Sequence, residues 1–368
     1  MNLRLAFNWD KNLLDNIKEL PVKSMFGIMP SDIVGGGRPT AALRNISKDD
    51  ATDLIREIRS KGISFNYLLN AVCLDNKEFT KEWTEELVKH LDWLVSCGVD
   101  ALTVSIPYLI QFIKKNYPDF RISTSIFDRI STVERARYFE DLGADDIVLD
   151  PNINRELKLI GKMRKALDAE MTIYVNGHCL YQCPFAFYHA EQLAHSSQSW
   201  HPSGGYYTEY CWYSCMKNRL EDPVKLIKSI WVRPEDLKTY EDLGINNFKV
   251  GDRTARSEYI LNTARAYAAG SLEGNLMNLF NIPVPMIQYT IGQYMEPGFK
   301  PELPYIDNRA LDGFLEFFRN KSCAQSDCNE CHYCDRIAEK VVKNTAPGKT
   351  TAAYFEKAIG DIFTINPQ

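Results

Sequence analysis

The sequence predicts a TIM-like (β/α)8 barrel followed by a cysteine-rich C-terminal extension. Short runs of β-branched and aromatic residues alternate with stretches of amphipathic helical period from Val22 to about Ala269. Four of the helical stretches stop at a glycine just before the next strand: Gly62, Gly98, Gly143 and Gly244. Glycine readily takes the left-handed conformation that closes a helix. After about residue 270 this rhythm ends, and prolines divide the chain into turns and short elements.

Taken in order, strands are expected at 22–29 (VKSMFGIM), 64–70 (SFNYLLN), 101–107 (ALTVSIP), 121–127 (RISTSIF), 146–150 (DIVLD), 171–177 (MTIYVNG), 229–233 (SIWVR) and 247–251 (NFKVG). The clearest helices between them are expected at 49–61, 81–95, 108–115, 132–142, 155–167 and 235–243. Eight strands alternating with helices are what a closed parallel barrel requires. An open doubly wound sheet is the alternative. No G-x-G-x-x-G follows an early strand, which weakens a dinucleotide-binding reading. The Gly35-Gly36-Gly37 run lacks that spacing and reads as a flexible loop after the first strand. The chain thus divides into a barrel over 1–270 and an extension over 271–368 packed against it. Pro283, Pro285, Pro297, Pro301 and Pro304 punctuate the extension, and helices are expected there at 308–318 and 335–343.

The 368 residues can bury a large core, and 45% apolar with 25% charged residues is ordinary for a globular protein. A net charge of −5 argues against a surface built to coat polyanions, though it leaves room for a local basic groove, so RNA stays undecided as a partner. The N-terminal stretch has no apolar core and no small-residue cleavage site, and no segment reaches the length of an apolar membrane span. A cytoplasmic location is the expectation, with no membrane partner. There cysteines stay reduced, and metal ligation outranks a disulfide framework.

Eight of the ten cysteines fall into two groups of four. Cys179, Cys183, Cys211 and Cys215 form two C-x3-C pairs with 27 residues between them, and Cys323, Cys328, Cys331 and Cys334 form a C-x4-C-x2-C-x2-C run. In a helix, residues i and i+4 share a face, so both sulfurs of a C-x3-C pair can reach one centre. The tight second run wraps a chain around a compact core as ferredoxin-like runs do, whereas a four-cysteine zinc site normally has a longer loop between its knuckles. Two [4Fe-4S] clusters are therefore expected, one per group. Zinc at Cys323–Cys334 is the alternative, and inert buried cysteines are the bland one.

A barrel places chemistry at the C-terminal ends of its strands. His178 and Cys179 follow the sixth expected strand directly, and Cys211 and Cys215 lie in the long connection after it, which runs to about Lys228. A connection that long in a compact domain is usually functional. Asn70, Ser105, Asp128, Asp150, Asn176, Arg233 and Arg253 are expected to line the mouth, with Arg233 and Arg253 ending the neighbouring seventh and eighth strands. Guanidinium forks there could bind a carboxylate or phosphate of a small molecule, or could pair with Asp252 or Asp236 to close the barrel. His178 and His189 could move protons, or support ligands structurally. Peptidase chemistry needs an activated nucleophile or a metal-bound water, and neither H-E-x-x-H nor G-x-S-x-G is present. The Cys179/His178 and Cys183/His189 pairs are the remaining candidates, and a thiolate engaged on iron is no free nucleophile.

Three segments together resemble the peptidase U32 family: DRISTVERARYFEDLGADDIVLDPNINRELKLI, MTIYVNGHC, and VRPEDLKTYEDLGINNFKVGDRTARSEYI. In the last, Lys249, Arg253, Ser257 and Tyr259 fall on the family's positions. The resemblance spans roughly residues 22–270. Gly251-Asp252 stands where the family usually has Glu-Gly, the Cys179–Cys183 spacing is unusual for it, and the Cys323–Cys334 run lies outside its core pattern. The resemblance implies one of two activities: a collagenase-like peptidase, or an oxygen-independent hydroxylation of tRNA, rRNA or a quinone ring. Proteins of the second kind hold a [4Fe-4S] cluster on four cysteines and are linked to prephenate as oxygen donor. It also implies that some members work as paired subunits, so a non-catalytic iron–sulfur partner of another protein is a third reading, with a protein partner or electron donor to match.

Overall fold

The architecture comes from a computed structural model whose described residues are 1–282 and 284–364; Pro283 lies outside them. Eight parallel strands close into a barrel in sequence order: β1 (Asn2–Ala6), β2 (Val22–Gly27), β3 (Ser64–Leu69), β4 (Ala101–Val104), β5 (Arg121–Ser123), β6 (Asp146–Val148), β7 (Glu170–Tyr174) and β8 (Asn247–Val250). The outer layer is made by α1 (Lys11–Asp15), α2 (Lys48–Ser60), α3 (Lys81–Cys97), α4 (Pro107–Asn116), α5 (Val133–Asp141) and α6 (Leu157–Ala166). Three insertion helices follow β7: α7 (Ala186–His195), α8 (Tyr210–Glu221) and α9 (Pro223–Lys228). Then come α10 (Leu237–Asp242) before β8 and α11 (Ser257–Ala269) after it. The expected glycine stops take the left-handed conformation, with φ of 74° at Gly62, 81° at Gly98, 108° at Gly143 and 85° at Gly244.

Two expectations about strands are corrected. Residues 229–233 form no strand, and the first strand is the N-terminal run Asn2–Ala6. β8 pairs directly with β7 through Thr172↔Asn247 and Ile173↔Phe248, and with β1 through Leu3↔Phe248, so no gap remains for another strand. The apolar residues at 230–232 are instead buried around a tight turn in which Trp231 Nε1 donates to the Leu226 carbonyl at 2.8 Å. The N-terminal signal was present: Leu3 and Leu5 alternate with Asn2 and Arg4, and both leucines are fully buried. His178 and Cys179 accordingly follow β7, not a sixth strand.

The barrel interior is unusually polar for a layered core. Arg4 ion-pairs with Asp146, and Lys249 projects over the Phe26 ring at 4.4 Å. Burial pulls the Lys249 ammonium down to about 7, helped by the Arg4 charge.

The extension holds α12 (Val284–Ile291), a short helix α13 (Cys328–Cys331), α14 (Tyr333–Val341) and α15 (Thr345–Phe363), with a two-stranded antiparallel ribbon of β9 (Tyr305–Ile306) and β10 (Val342–Lys343). The helix expected at 308–318 is two 3-10 turns, Arg309–Leu311 and Phe314–Arg319, because Gly313 at φ 81° interrupts it. The longest helix, α15, has no counterpart among the expected elements, since Pro347, Gly348 and Gly360 mask its period. Pro347 lies in its first turn, where a missing N–H costs nothing. This helix packs on α8, Phe355 meeting Trp212 at 5.3 Å and Tyr213 at 5.7 Å between ring centres. No helix among the described residues is long and apolar enough to cross a membrane.

Candidate functional site

The segment leaving β7 builds one wall of the barrel mouth. Asn176 is buried and clamps the end of β8, accepting the Gly251 N–H at 2.9 Å and donating to the carbonyls of Gly251 and of Leu279, the latter at 3.3 Å. Cys179 and Cys183 then lie on an irregular turn, with Gln182 at φ 50°, so this pair does not begin a helix as its spacing predicts. Cys211 and Cys215 do share a helix face, one turn apart on α8. Arg219 continues that face by one more turn. It is 1% exposed, and its Nη1 donates to the carbonyl oxygen of His178, tying α8 to the β7 exit.

The four thiols of the first group converge. Burial pushes Cys215 up to about 11, opposed by the Arg219 charge and reinforced by the Cys179 and Cys183 thiols. Cys211 also rises to about 11, through burial and then through Cys183 and Cys215. Cys183 is raised by burial and by Cys179. Cys211 donates a hydrogen bond from Sγ to Gln192 Oε1 of α7 at 3.3 Å.

The second group converges as well. Cys323 is pushed up to about 11 by burial, with Arg155 opposing and Cys334 and Cys328 adding to the rise. Cys334 is raised by burial and by Cys328 and Cys331, against Arg155 and Lys228. The run docks on the barrel where Glu156 Oε1 accepts the Ala324 N–H at 2.9 Å, and within the extension Tyr333 stacks on Phe317 with ring centres 3.8 Å apart. Tyr181, which sits between Cys179 and Cys183 in the chain, feels Cys323 and Cys328. The two cysteine groups are therefore neighbours.

Four thiols in each group could hold a metal centre, an iron–sulfur cluster in either or zinc in the second. All ten cysteines are free. Among the described residues, no three of the eight grouped sulfurs lie within 4.8 Å of one another. Arg219 supplies positive charge beside Cys183 and Cys215, and Arg155 beside Cys323 and Cys334, which lessens the cost of ionising those thiols.

Arg253 and Asn70 leave buried polar atoms unpaired at the C-terminal ends of the strands. Arg253 is buried and its Nε and Nη1 have no hydrogen-bond partner, nor has Asn70 Oδ1. Gly36 forms the floor between them. Asp252 is taken by Arg38, whose Nη2 reaches Oδ2 at 2.6 Å and whose Nε reaches Oδ1 at 3.2 Å. Arg38 escaped sequence reasoning, and so did Arg219; the i, i+4, i+8 series 211–215–219 was the available signal for the latter. Asp128 is pushed up to about 8 by burial while it accepts the Ser125 N–H at 2.6 Å. Ser105 and Asp150 are also buried at strand ends. The glycine run is packed and not flexible: Gly36 N–H donates to Ser197 Oγ at 2.8 Å, and a Cβ on Gly37 would meet the Phe127 ring at 2.6 Å.

Arg233 does not join Arg253. Its guanidinium is spent on Asn308 Oδ1 at 3.0 Å, the Leu311 carbonyl at 2.8 Å and Asp312 at 2.7 Å, which binds the extension to the barrel. His178 is pulled down to about 3 by burial and the Arg219 charge, and His189 to about 4 by burial and Arg38. Both imidazoles are neutral, and neither hydrogen-bonds a cysteine among the described residues.

A family model described as Peptidase family U32 matches residues 38–271. The uncharacterized protease MJ1657 of Methanocaldococcus jannaschii is 28% identical over 316 residues, covering 85% of this chain and 86% of that protein. Among solved structures, the U32 peptidase Mk0906 shares the fold with a TM-score of 0.52 at 21% identity, over 68% of this chain and 92% of that one.

Proposed function

The chain belongs to peptidase family U32, and from that premise we propose that it is an iron–sulfur protein performing an oxygen-independent modification, foremost a hydroxylation. The substrate class is an RNA base, a quinone-like ring or another small or peptide molecule. The observation that carries this reading is the convergence of four thiols from two separate segments beside the buried guanidinium of Arg219.

Cys179, Cys183, Cys211 and Cys215 would hold a [4Fe-4S] cluster at the mouth, and Cys323, Cys328, Cys331 and Cys334 a second. Bound there, clusters supply one-electron redox chemistry. The chain's own groups do the rest. Arg253 receives a carboxylate of a small donor such as prephenate, the oxygen donor implied by the resemblance, and Asn70 Oδ1 can accept from a hydroxyl of the same molecule. Arg219 offsets the charge of the mouth ligands. Tyr181 lies between the two groups and marks the route by which the extension would pass electrons to the mouth. The neutral His178 can accept a proton only weakly, so it acts as a packing group against Phe280.

Anaerobic purification with iron and sulfide counts tests the reading. About eight irons per chain are expected, falling to about four in Cys179→Ala and again in Cys331→Ala. Zinc in place of iron at both sites overturns it.

A peptidase is the second reading, favoured by the names of the M. jannaschii relative and of Mk0906. The site gives it little: burial raises the Cys183, Cys211 and Cys215 thiols, and no imidazole hydrogen-bonds a cysteine among the described residues. Turnover of peptides by cluster-free protein would favour it. An obligate partner subunit would show ordinary cluster content and no turnover alone.

A further inference from the structure

Cys73, one of the two cysteines outside the groups, has a separate set of neighbours. It lies in the loop after β3, with Asp75 two residues on, facing the C-terminal half of α7. The sulfur of Cys73, a carboxylate oxygen of Glu191 and a ring nitrogen of His195 all lie within 4.8 Å of one another. Asp75 Oδ1 stands 3.6 Å from Cys73 Sγ and 3.5 Å from His195 Nε2. Two of these separations match edges of a tetrahedron around zinc. With Zn–S of about 2.3 Å and Zn–N or Zn–O of about 2.1 Å, a sulfur–oxygen edge is about 3.6 Å and a nitrogen–oxygen edge about 3.4 Å.

An independent observation points into the same space. His195 Nε2 is buried and makes no hydrogen bond. Its 3.5 Å separation from Asp75 Oδ1 is longer than an ordinary N–H···O bond. The ring is held by a parallel stack on His201, with centroids 4.3 Å apart and planes 9° apart. His201 also lies within 4.8 Å of Asp75 and His195, but its Nδ1 already accepts the Ser203 N–H at 3.2 Å. We assign it to orientation of His195.

We propose that Cys73, Asp75, Glu191 and His195 form a binding site for a single divalent zinc ion, separate from both cysteine quartets. One thiolate, one imidazole and two carboxylates match zinc's preference for mixed sulfur, nitrogen and oxygen donors. Binding displaces the Cys73 thiol proton to solvent. The ion joins the β3 loop to α7, and α7 carries Gln192, the partner of Cys211. Gln198 already spans the same gap, donating to the Cys73 carbonyl at 2.7 Å and to Val34 at 3.1 Å. Zinc would thus fix the segment that presents the mouth cysteines.

The test uses the full chain with its iron content retained, loaded with zinc and then dialysed. Wild type is expected to keep one more zinc per chain than His195→Ala, with iron counts equal in the two. The zinc K-edge absorption spectrum should show one sulfur and three nitrogen or oxygen neighbours. Equal zinc in both proteins, or a four-sulfur shell that places zinc in a quartet, overturns the proposal. Should His195→Ala fail to fold, Asp75→Asn alters an exposed side chain and should weaken zinc at least tenfold; unchanged affinity overturns it equally.

Discussion

Gly36 and Arg253 stand so close that a methyl group on Gly36 would sit 3.3 Å from Arg253 Nη2, and 3.1 Å from Asn70 Oδ1. A glycine at this position leaves the guanidinium face open. Two hydrogen bonds to a charged partner are worth about 1.5–3 kcal/mol each, so losing one weakens binding roughly 10- to 100-fold. Arg253→Gln is expected to weaken prephenate by that factor in a calorimetric titration. Gly36→Ala should do the same while leaving the iron content intact. Wild-type affinity in both variants would remove Arg253 from the ligand site.

Arg219 carries the only guanidinium on the α8 face that bears Cys211 and Cys215. A buried positive charge favours the more negative, reduced state of a neighbouring cluster. Arg219→Met should therefore lower the midpoint potential of one cluster in a potentiometric titration, and Arg219→Lys should restore much of it. A potential that does not move in Arg219→Met contradicts the placement of a cluster on the mouth cysteines.

Arg233 is expected to matter for stability and not for ligand binding. Arg233→Met orphans Asn308 Oδ1 and the Leu311 carbonyl, at about 1–3 kcal/mol for each buried acceptor. Asp312 is 63% exposed, so its ion pair adds little. Urea unfolding should show the loss, with prephenate affinity and iron content unchanged. A ligand-binding defect without a stability defect would return Arg233 to the site.

Asp128 sets a pH dependence. Its folded value of about 8 lies above its ordinary value of 3.8 because burial disfavours the carboxylate. A raised carboxyl holds its proton more tightly in the folded state. Its contribution is fully present below the unfolded value and is lost as pH rises through the folded one. Asp128→Asn keeps the acceptor for Ser125 and cannot ionise. Melting curves should show the variant gaining on wild type between about pH 4 and pH 8 and no further above that. A constant gap across that range would show that Asp128 ionises freely.

Most of the barrel was legible because it is local. Glycine stops, amphipathic helices and β-branched runs are properties of neighbouring residues, and they marked seven of the eight strands and all six of the expected barrel helices. The N-terminal strand and the run 229–233 exchanged places because both have strand-like composition. Only closure of the sheet, with β8 pairing to β1 and β7 at once, decides between them.

Spacing alone grouped the eight cysteines, because residues a few positions apart on a helix or turn come together locally. It could not reveal that Tyr181 brings the two groups side by side, that Arg233 is consumed by the extension, or that Arg253 is left open above Gly36. Nor could it gather Cys73 and Asp75 with Glu191 and His195, two segments more than a hundred positions apart. Those facts depend on which long-range contacts the folded chain makes, and packing fixes such contacts without leaving a local pattern for the sequence to display.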